Sequence, residues 1–439
     1  MKLNLILAIA VSLFSSTVFA QDIDLEKIDN FVSHMEHNNR GIGSVSIFKD
    51  GEEVYHRSFG QSQLSDIQYD HTTKYQVGSV TKMITATLIF KLIENNALNL
   101  DDPLSNFYAE IPNSDKITIK HLLEHSSGLG DFTIKDDSVS WLTQRVSEED
   151  VFNEIIKQGV AFQPGEEVKY SNSGCFLLTK ILEEIHDQDY PRLVHDYISL
   201  PLALENFSSV TPTLENVFPS YHYTGDWQKI TDFDFANVVG VGDIASTTTD
   251  LNIFLHHLFQ HEILERESVE QMKPLLGEKE RFGRGLMVVP FYEHVFYGHG
   301  GKTYGTQTMA SYNEKDKLGL SYAFNGERFP HNDFAIGVLS IIYGKDYSFP
   351  NFETITLRPE ELDQFLGTYS SPGFPLKLTI TKDGHTLKGQ GTGQPAFPLE
   401  CYEINEFKFE PAKLTLEFIP QENRMILNQR GMKVDMKKE

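Results

Sequence analysis

The chain has 439 residues, with 62 acidic against 38 basic side chains and a formal charge of −24 at pH 7. That negative balance excludes a nucleic-acid binder, whose phosphate contacts need a basic footprint. An apolar share of 40% over this length supplies more than one ordinary core, and beyond the N-terminal stretch no apolar run is long enough to span a membrane.

Residues 1–20 have the form of a secretory signal peptide: Lys2, an apolar run from Leu3 to Leu13, then Val18-Phe19-Ala20 ahead of Gln21. The expectation is an exported protein, periplasmic or secreted, without a cysteine after the cleavage point to carry a lipid. Cys175 and Cys401 are the two cysteines, too few for a disulfide framework, and their pairing stays open. Cys175 opens the apolar run Cys175-Phe176-Leu177-Leu178 and reads as a buried helix residue.

Residues 24–37 carry Ile28, Phe31, Val32 and Met35 at helical spacing, which predicts an amphipathic helix. Two alternating stretches, 43–49 and 53–59, predict strands joined at Asp50-Gly51. The next apolar stretch begins Tyr75-Gln76-Val77-Gly78-Ser79-Val80-Thr81-Lys82 and continues with helical periodicity to Ile93. A serine and a lysine three apart on a helix share a face, which sets a hydroxyl beside an amine and makes a nucleophile without histidine. Ser46-Ile47-Phe48-Lys49 repeats the spacing on a predicted strand, where residues three apart point to opposite faces. Only Ser79 has the geometry.

Residues 117–125 read as a helix ending in the breaker-rich Ser126-Ser127-Gly128-Leu129-Gly130. It contains His121-Leu122-Leu123-Glu124-His125, the pattern of an inverted zinc-peptidase site, which would need a further ligand downstream where no second cluster stands out. Residues 147–158 predict a helix. Phe162-Gln163-Pro164-Gly165 then turns into Tyr170-Ser171-Asn172 at the start of a helix over 174–185, where Ser and Asn also suit an ordinary cap. A helix through Phe259 follows Ala245 to Asp250. Strands are predicted at 282–289, 297–302, 309–312 and 318–324, the last ended by Asn325-Gly326, and a closing helix at 333–343. From 363 onward short alternating stretches, such as Lys377-Leu378-Thr379-Ile380 and Leu414-Thr415-Leu416-Glu417-Phe418, predict a small all-β module. The change of character falls at 350–360.

Ser79-Val80-Thr81-Lys82, Tyr170-Ser171-Asn172 and His299-Gly300-Gly301, in this order, resemble the motifs of the serine β-lactamase-like family. This family embraces class C β-lactamases, D-alanyl-D-alanine carboxypeptidases, D-aminopeptidases and esterases. The resemblance covers roughly residues 25–345. It implies an α+β fold: an antiparallel sheet flanked by helices, with a mostly helical subdomain. The hydrolase domain would span 21–350, and 358–439 resembles the small β-barrel-like domains appended to some relatives.

The resemblance also implies a chemistry. Ser79 would attack an ester or amide carbonyl to give an acyl-enzyme, with Lys82 and Tyr170 sharing removal of its proton. Asn172 would orient Lys82 and the substrate amide. The oxyanion would rest on the backbone N–H groups of Ser79 and Lys302, beside Gly301, and neither metal nor organic cofactor is required. The partner is a small-molecule or peptide substrate, and oligomeric state stays open. His299 stands where lactamases and carboxypeptidases place lysine. A mostly neutral imidazole, able to donate one hydrogen bond to a carbonyl, offers little to a substrate carboxylate and favours uncharged esters or amides over β-lactams. Lys302 faces the other side of the strand and does not replace that cation. All three motifs precede 350, so a chain ending near 355 is expected to keep ester hydrolysis. Two alternatives are a catalytically silent binding or scaffold relative of penicillin-binding proteins and the zinc peptidase built on His121, Glu124 and His125.

Overall fold

The structure is a computed structural model describing residues 23–61, 64, 69–212, 214–231, 233–274 and 281–439. The candidate signal peptide at 1–20 lies outside them. Alternating apolar residues bring six strands into one antiparallel sheet: β1 (Gly41–Lys49), β2 (Glu52–Phe59), β3 (Met287–Phe291), β4 (His294–Lys302), β5 (Gln307–Asn313) and β6 (Leu318–Glu327). Their order is β2-β1-β6-β5-β4-β3. Asp50 and Gly51 take positive φ between β1 and β2, as a tight hairpin turn requires.

Two expectations about strands change. Only the end of 282–289 is strand, because Phe282 makes a single bridge to Met287 and turns its ring toward Tyr170. Asn325-Gly326 does not end β6. Gly41 and Ile42 pair with Glu327 and Gly326, so the neighbouring strand carries the ladder past the turn-forming residues.

Six helices matter here: α1 (Leu25–His37), α2 (Thr81–Glu94), α3 (Ile119–Leu123), α4 (Asn172–His186), α5 (Thr248–Phe259) and α6 (His331–Ile342). α1 and α6 cover one face of the sheet, burying Phe31, Val32, Phe334 and Val338 against Val45, Tyr322 and Phe324. The other face packs on α5 and the helical region, and α2 runs through that core with Thr81 to Phe90 buried. A helix apolar around its circumference belongs at a core's centre. Among the described residues no helix is long and apolar enough to cross a membrane.

The C-terminal alternation closes on itself. β7 (Gly367–Ser371), β8 (Phe374–Asp383), β9 (Thr386–Gly391), β10 (Phe397–Glu403), β11 (Glu406–Phe409), β12 (Leu414–Ile419), β13 (Arg424–Gln429) and β14 (Met432–Lys438) form an eight-stranded antiparallel barrel, with β14 paired back to β7. Inward residues such as Leu378, Ile380, Leu416 and Met425 fill its core. Both cysteines are free and buried. The Cys175 thiol donates to Gly240 O and that of Cys401 to Glu403 O.

The barrel is fastened to the sheet by charge. Glu400 on β10 pairs with both Arg40 and Arg328, whose side chains are 4% and 12% exposed. Removing one partner of a buried pair costs about 3–5 kcal/mol, and Glu400 is accessible enough to reduce that. Glu400→Ala is therefore expected to destabilise the chain by about 2–3 kcal/mol, read as a fall in urea midpoint. An unchanged midpoint would show that solvent already satisfies both guanidinium groups. A chain ending near 355 loses the same carboxylate, so its retained hydrolysis has to be measured below its lowered melting temperature.

Candidate active site

Ser79 lies on one 3-10 turn, Gly78–Val80, that runs directly into α2. Gly78 has a φ of 56°, and a Cβ there would sit 2.9 Å from both the N and O of Lys302. Across the gap, a Cβ on Gly301 would lie 1.9 Å from Val77 O and 3.2 Å from Ser79 N. Two glycines thus let the head of α2 meet the end of β4 backbone to backbone. Gly301 is buried, while Lys302 is exposed and lines the same cleft as Ser79.

One turn beyond Ser79, the Lys82 ammonium donates to Ser79 Oγ at 3.0 Å and to Val241 O at 2.8 Å. Lys82 is 4% exposed. The loop that supplies Val241 O is pinned by Asp243, which accepts from Gly240 N at 2.7 Å, Val210 N at 3.0 Å and the Ser209 hydroxyl. Burial pushes the Asp243 carboxyl up to about 6. From the opposite side the Tyr170 hydroxyl donates to Ser79 Oγ at 2.8 Å. Ser79, Lys82 and Tyr170 are therefore brought together around one oxygen.

The Tyr170 ring is held between others, with centroids 4.4 Å from His125, 5.3 Å from Phe282 and 6.4 Å from His299. Burial, reinforced by Lys82, pushes His299 down to about 4. Burial, then Lys82 and His299, pushes His125 down to about 3. Both imidazoles are thus neutral around Lys82. His299 Nδ1 donates to Gly300 O, so the neutral ring keeps only a lone pair at Nε2. The expected donor to a substrate carbonyl becomes an acceptor, because a carbonyl already takes the ring proton.

Asn172 also departs from expectation. Its amide does not reach Lys82. Nδ2 donates to Asp131 at 2.9 and 3.2 Å and to Thr133 Oγ1 at 3.1 Å. The carboxylate fixes the amide's orientation and leaves Oδ1 as its free polar atom, on a residue that lines the cleft. The cleft holds about 580 Å³ and is lined by Leu142, Phe233, Phe235, Val238 and Tyr304 as well as by Asn172 and Lys302.

The zinc pattern comes apart on inspection. His121 Nδ1 accepts from Thr118 N in a capping box, Glu124 pairs with Arg284 at 2.6 Å, and His125 stacks on Tyr170. Three side chains look to three different neighbours, because helix α3 ends at Leu123 and His125 takes a left-handed φ of 57°. The functional neighbours not singled out from sequence are Asp131, Phe282, Val241 and Asp243. Only Asp243, an acid directly after the glycine-rich Gly240-Val241-Gly242, carried a local signal.

The profile of the Beta-lactamase family matches residues 28–338. The putative penicillin-binding protein PbpX of Bacillus subtilis (strain 168) is 26% identical over 269 residues, covering 60% of this chain and 66% of that protein, just under two thirds of its length. Among solved structures, the octameric penicillin-binding protein homologue from Pyrococcus abyssi has a TM-score of 0.66 at 24% identity, covering 94% of this chain and all (100%) of that one. The D-amino acid amidase of Ochrobactrum anthropi SV3, complexed with D-phenylalanine, has a TM-score of 0.63 at 21% identity over 72% of this chain and 99% of that one. These likenesses in structure carry the fold.

Proposed function

This chain belongs to the Beta-lactamase family, whose members are serine hydrolases, and from that premise we propose that it cleaves esters or amides through an acyl-enzyme on Ser79. The observation that carries the reading is one oxygen with two proton-handling partners: Ser79 Oγ lies 3.0 Å from Lys82 Nζ and 2.8 Å from Tyr170 OH. For the attack the pair must hold one proton fewer than these resting hydrogen bonds show, as a Tyr170 phenolate beside the Lys82 ammonium. The attacking oxygen then forms its bond to the carbonyl carbon as its proton passes to the Tyr170 oxygen. The developing oxyanion turns to the N–H groups of Ser79 and Lys302, where the two backbones meet at Gly78 and Gly301. The carbon–nitrogen or carbon–oxygen bond then breaks, the leaving group takes the proton back, and water repeats the sequence to free the acid and Ser79.

The substrate class follows from the polarity of the atoms around the cleft. Asn172, which lines the cleft, presents Oδ1 as an acceptor with Asp131 behind it, while the neutral His299 is buried and adds no cation. An acyl group that brings N–H donors, such as the free amine of a D-amino acid amide or peptide, complements that oxygen. A carboxylate finds no donor on Asn172, and Lys302 is the one cation among the described residues on the cleft lining that it could meet. One charge-assisted hydrogen bond is worth about 1.5–3 kcal/mol, roughly ten- to a hundredfold in rate when it is made in the transition state. In this reading the hydrolase domain covers 21–350, the barrel domain 358–439, and the chain is exported.

The test is intact-mass and peptide mapping after mixing with p-nitrophenyl acetate, D-phenylalanine amide and benzylpenicillin. The expected result is an acyl adduct on the peptide containing Ser79, with kcat/KM for the D-amide at least tenfold above that for the penicillin. Acylation elsewhere would remove the nucleophile assignment. Faster turnover of the penicillin would remove the substrate class while leaving the nucleophile in place.

A further inference from the structure

The barrel is filled at one end and open at the other. At the filled end the Phe365 ring packs 5.1 Å from Phe407 and 4.9 Å from Phe418. At the opposite end, the same inward-facing rows continue as Phe374 and Leu376 on β8, Phe397 on β10 and Phe409 on β11, all only partly buried, above Leu414 and Leu427. They surround a cavity of about 780 Å³. Two inward positions on β9 are glycines, Gly389 and Gly391, so this strand sends no side chain into the space. A Cβ at Gly389 would meet the Phe397 ring at 2.8 Å and one at Gly391 the Gln394 amide at 2.5 Å, so both side chains lie back against the wall over the glycines.

An eight-stranded barrel is just wide enough either to be filled by its own side chains or to hold one small ligand. This one does the first at one end and leaves room for the second at the other. The volume is that of an ordinary ligand site, and its lining is mostly aliphatic and aromatic. Lys377 is the one Lys, Arg, Asp or Glu on that lining, and its ammonium is paired with Glu439 at 2.7 Å. Among the described residues lining it no unpaired charge awaits an ion, and an apolar cavity of this kind takes apolar guests.

The space also neighbours the catalytic cleft through one intervening cavity. Lys302 and Gly305 line both the cleft of Ser79 and a second cavity of about 250 Å³ between sheet and barrel. Tyr223 and Phe409 line both that second cavity and the barrel mouth. We propose that the open end of the barrel is a binding site for an uncharged apolar chain. The chain has two sources of the same chemistry: the tail of the substrate whose scissile bond lies at Ser79, or a free amphiphile held beside it. The first source rests on the hydrolase reading, whereas the site itself does not.

The test uses the full chain and N-phenyl-1-naphthylamine, a neutral probe with no ester or amide to cleave. The expected result is a saturable fluorescence rise, reversed by 1-dodecanol, with affinity at least tenfold weaker in Leu376→Glu. Phe374→Ser, on the half-exposed rim, gives the same direction should Leu376→Glu fold poorly. Hydrolysis of p-nitrophenyl acetate stays within twofold in both variants. If the chain belongs to the substrate, the kcat/KM ratio of p-nitrophenyl dodecanoate to acetate also falls about tenfold in Leu376→Glu. If the guest is a free amphiphile, that ratio holds while probe binding is still lost. Absence of saturable binding, or binding that both variants leave unchanged, overturns the site.

Discussion

Ser79→Ala is expected to lower kcat/KM for p-nitrophenyl acetate on the order of 10⁴- to 10⁶-fold, the scale seen when a nucleophile is removed from a pre-formed site. Its folding stability changes little, because Ser79 is partly exposed and Lys82 keeps its bond to Val241 O. Ser46→Ala is expected to do the reverse. Ser46 is fully buried on β1, where it donates to Glu53 at 2.6 Å and accepts from Asn252 at 2.9 Å. Asn252 keeps its bond to Ser46 O and the exposed Glu53 its bond from Thr249, so the two lost hydrogen bonds cost about 0.5–1.5 kcal/mol, with activity at temperatures below the new midpoint within twofold of the parent. Kinetics and urea melts on both variants separate the two serines. Comparable activity loss in folded Ser46→Ala would mean that the spacing of serine and lysine had been assigned to the wrong element.

The contrast between these serines also shows what kind of information a sequence holds. Ser79, Lys82 and Tyr170 were legible because each sits in a short motif whose local geometry, helix or helix mouth, follows from periodicity over a few residues. The barrel was legible as alternation for the same reason. What lay beyond reach depends on contacts distant in sequence. The Asn172 amide points where Asp131 holds it, and nothing near position 172 announces that carboxylate. Asn325-Gly326 has the chemistry of a turn, yet the partner strand at Gly41 and Ile42 overrides it. His121, Glu124 and His125 matched a metal pattern on a helix that ends before the pattern does. In the barrel, period-two alternation tells which residues face inward, but not whether their rings meet. That depends on how far Phe397 leans over Gly389 and on how Gln394 folds over Gly391.

The second large effect concerns backbone approach rather than a functional group. Gly301→Ala is expected to reduce kcat for the same ester by about 10²- to 10³-fold, the range found when one oxyanion donor is lost. The added methyl would lie 1.9 Å from Val77 O, so the end of β4 and the head of α2 must move apart by an ångström or more. Ser79 N and Lys302 N, which both lie beside that contact, are then drawn apart. Overpacking of this kind also costs about 1–3 kcal/mol of stability, so the assay belongs well below the melting temperature. Gly300→Ala is the matched control. A Cβ there meets the far end of the Met309 side chain at 3.4 Å and Thr308 O at 3.8 Å, an ordinary contact, and should leave kcat within about threefold, a loss below 1 kcal/mol. KM for the ester is expected to change little in either variant, because the donors act on charge that develops only in the transition state. Equal loss in both variants would mean that strand β4 tolerates no side chain for reasons of folding. Full activity in Gly301→Ala would mean that the oxyanion is held elsewhere than between Ser79 and Lys302.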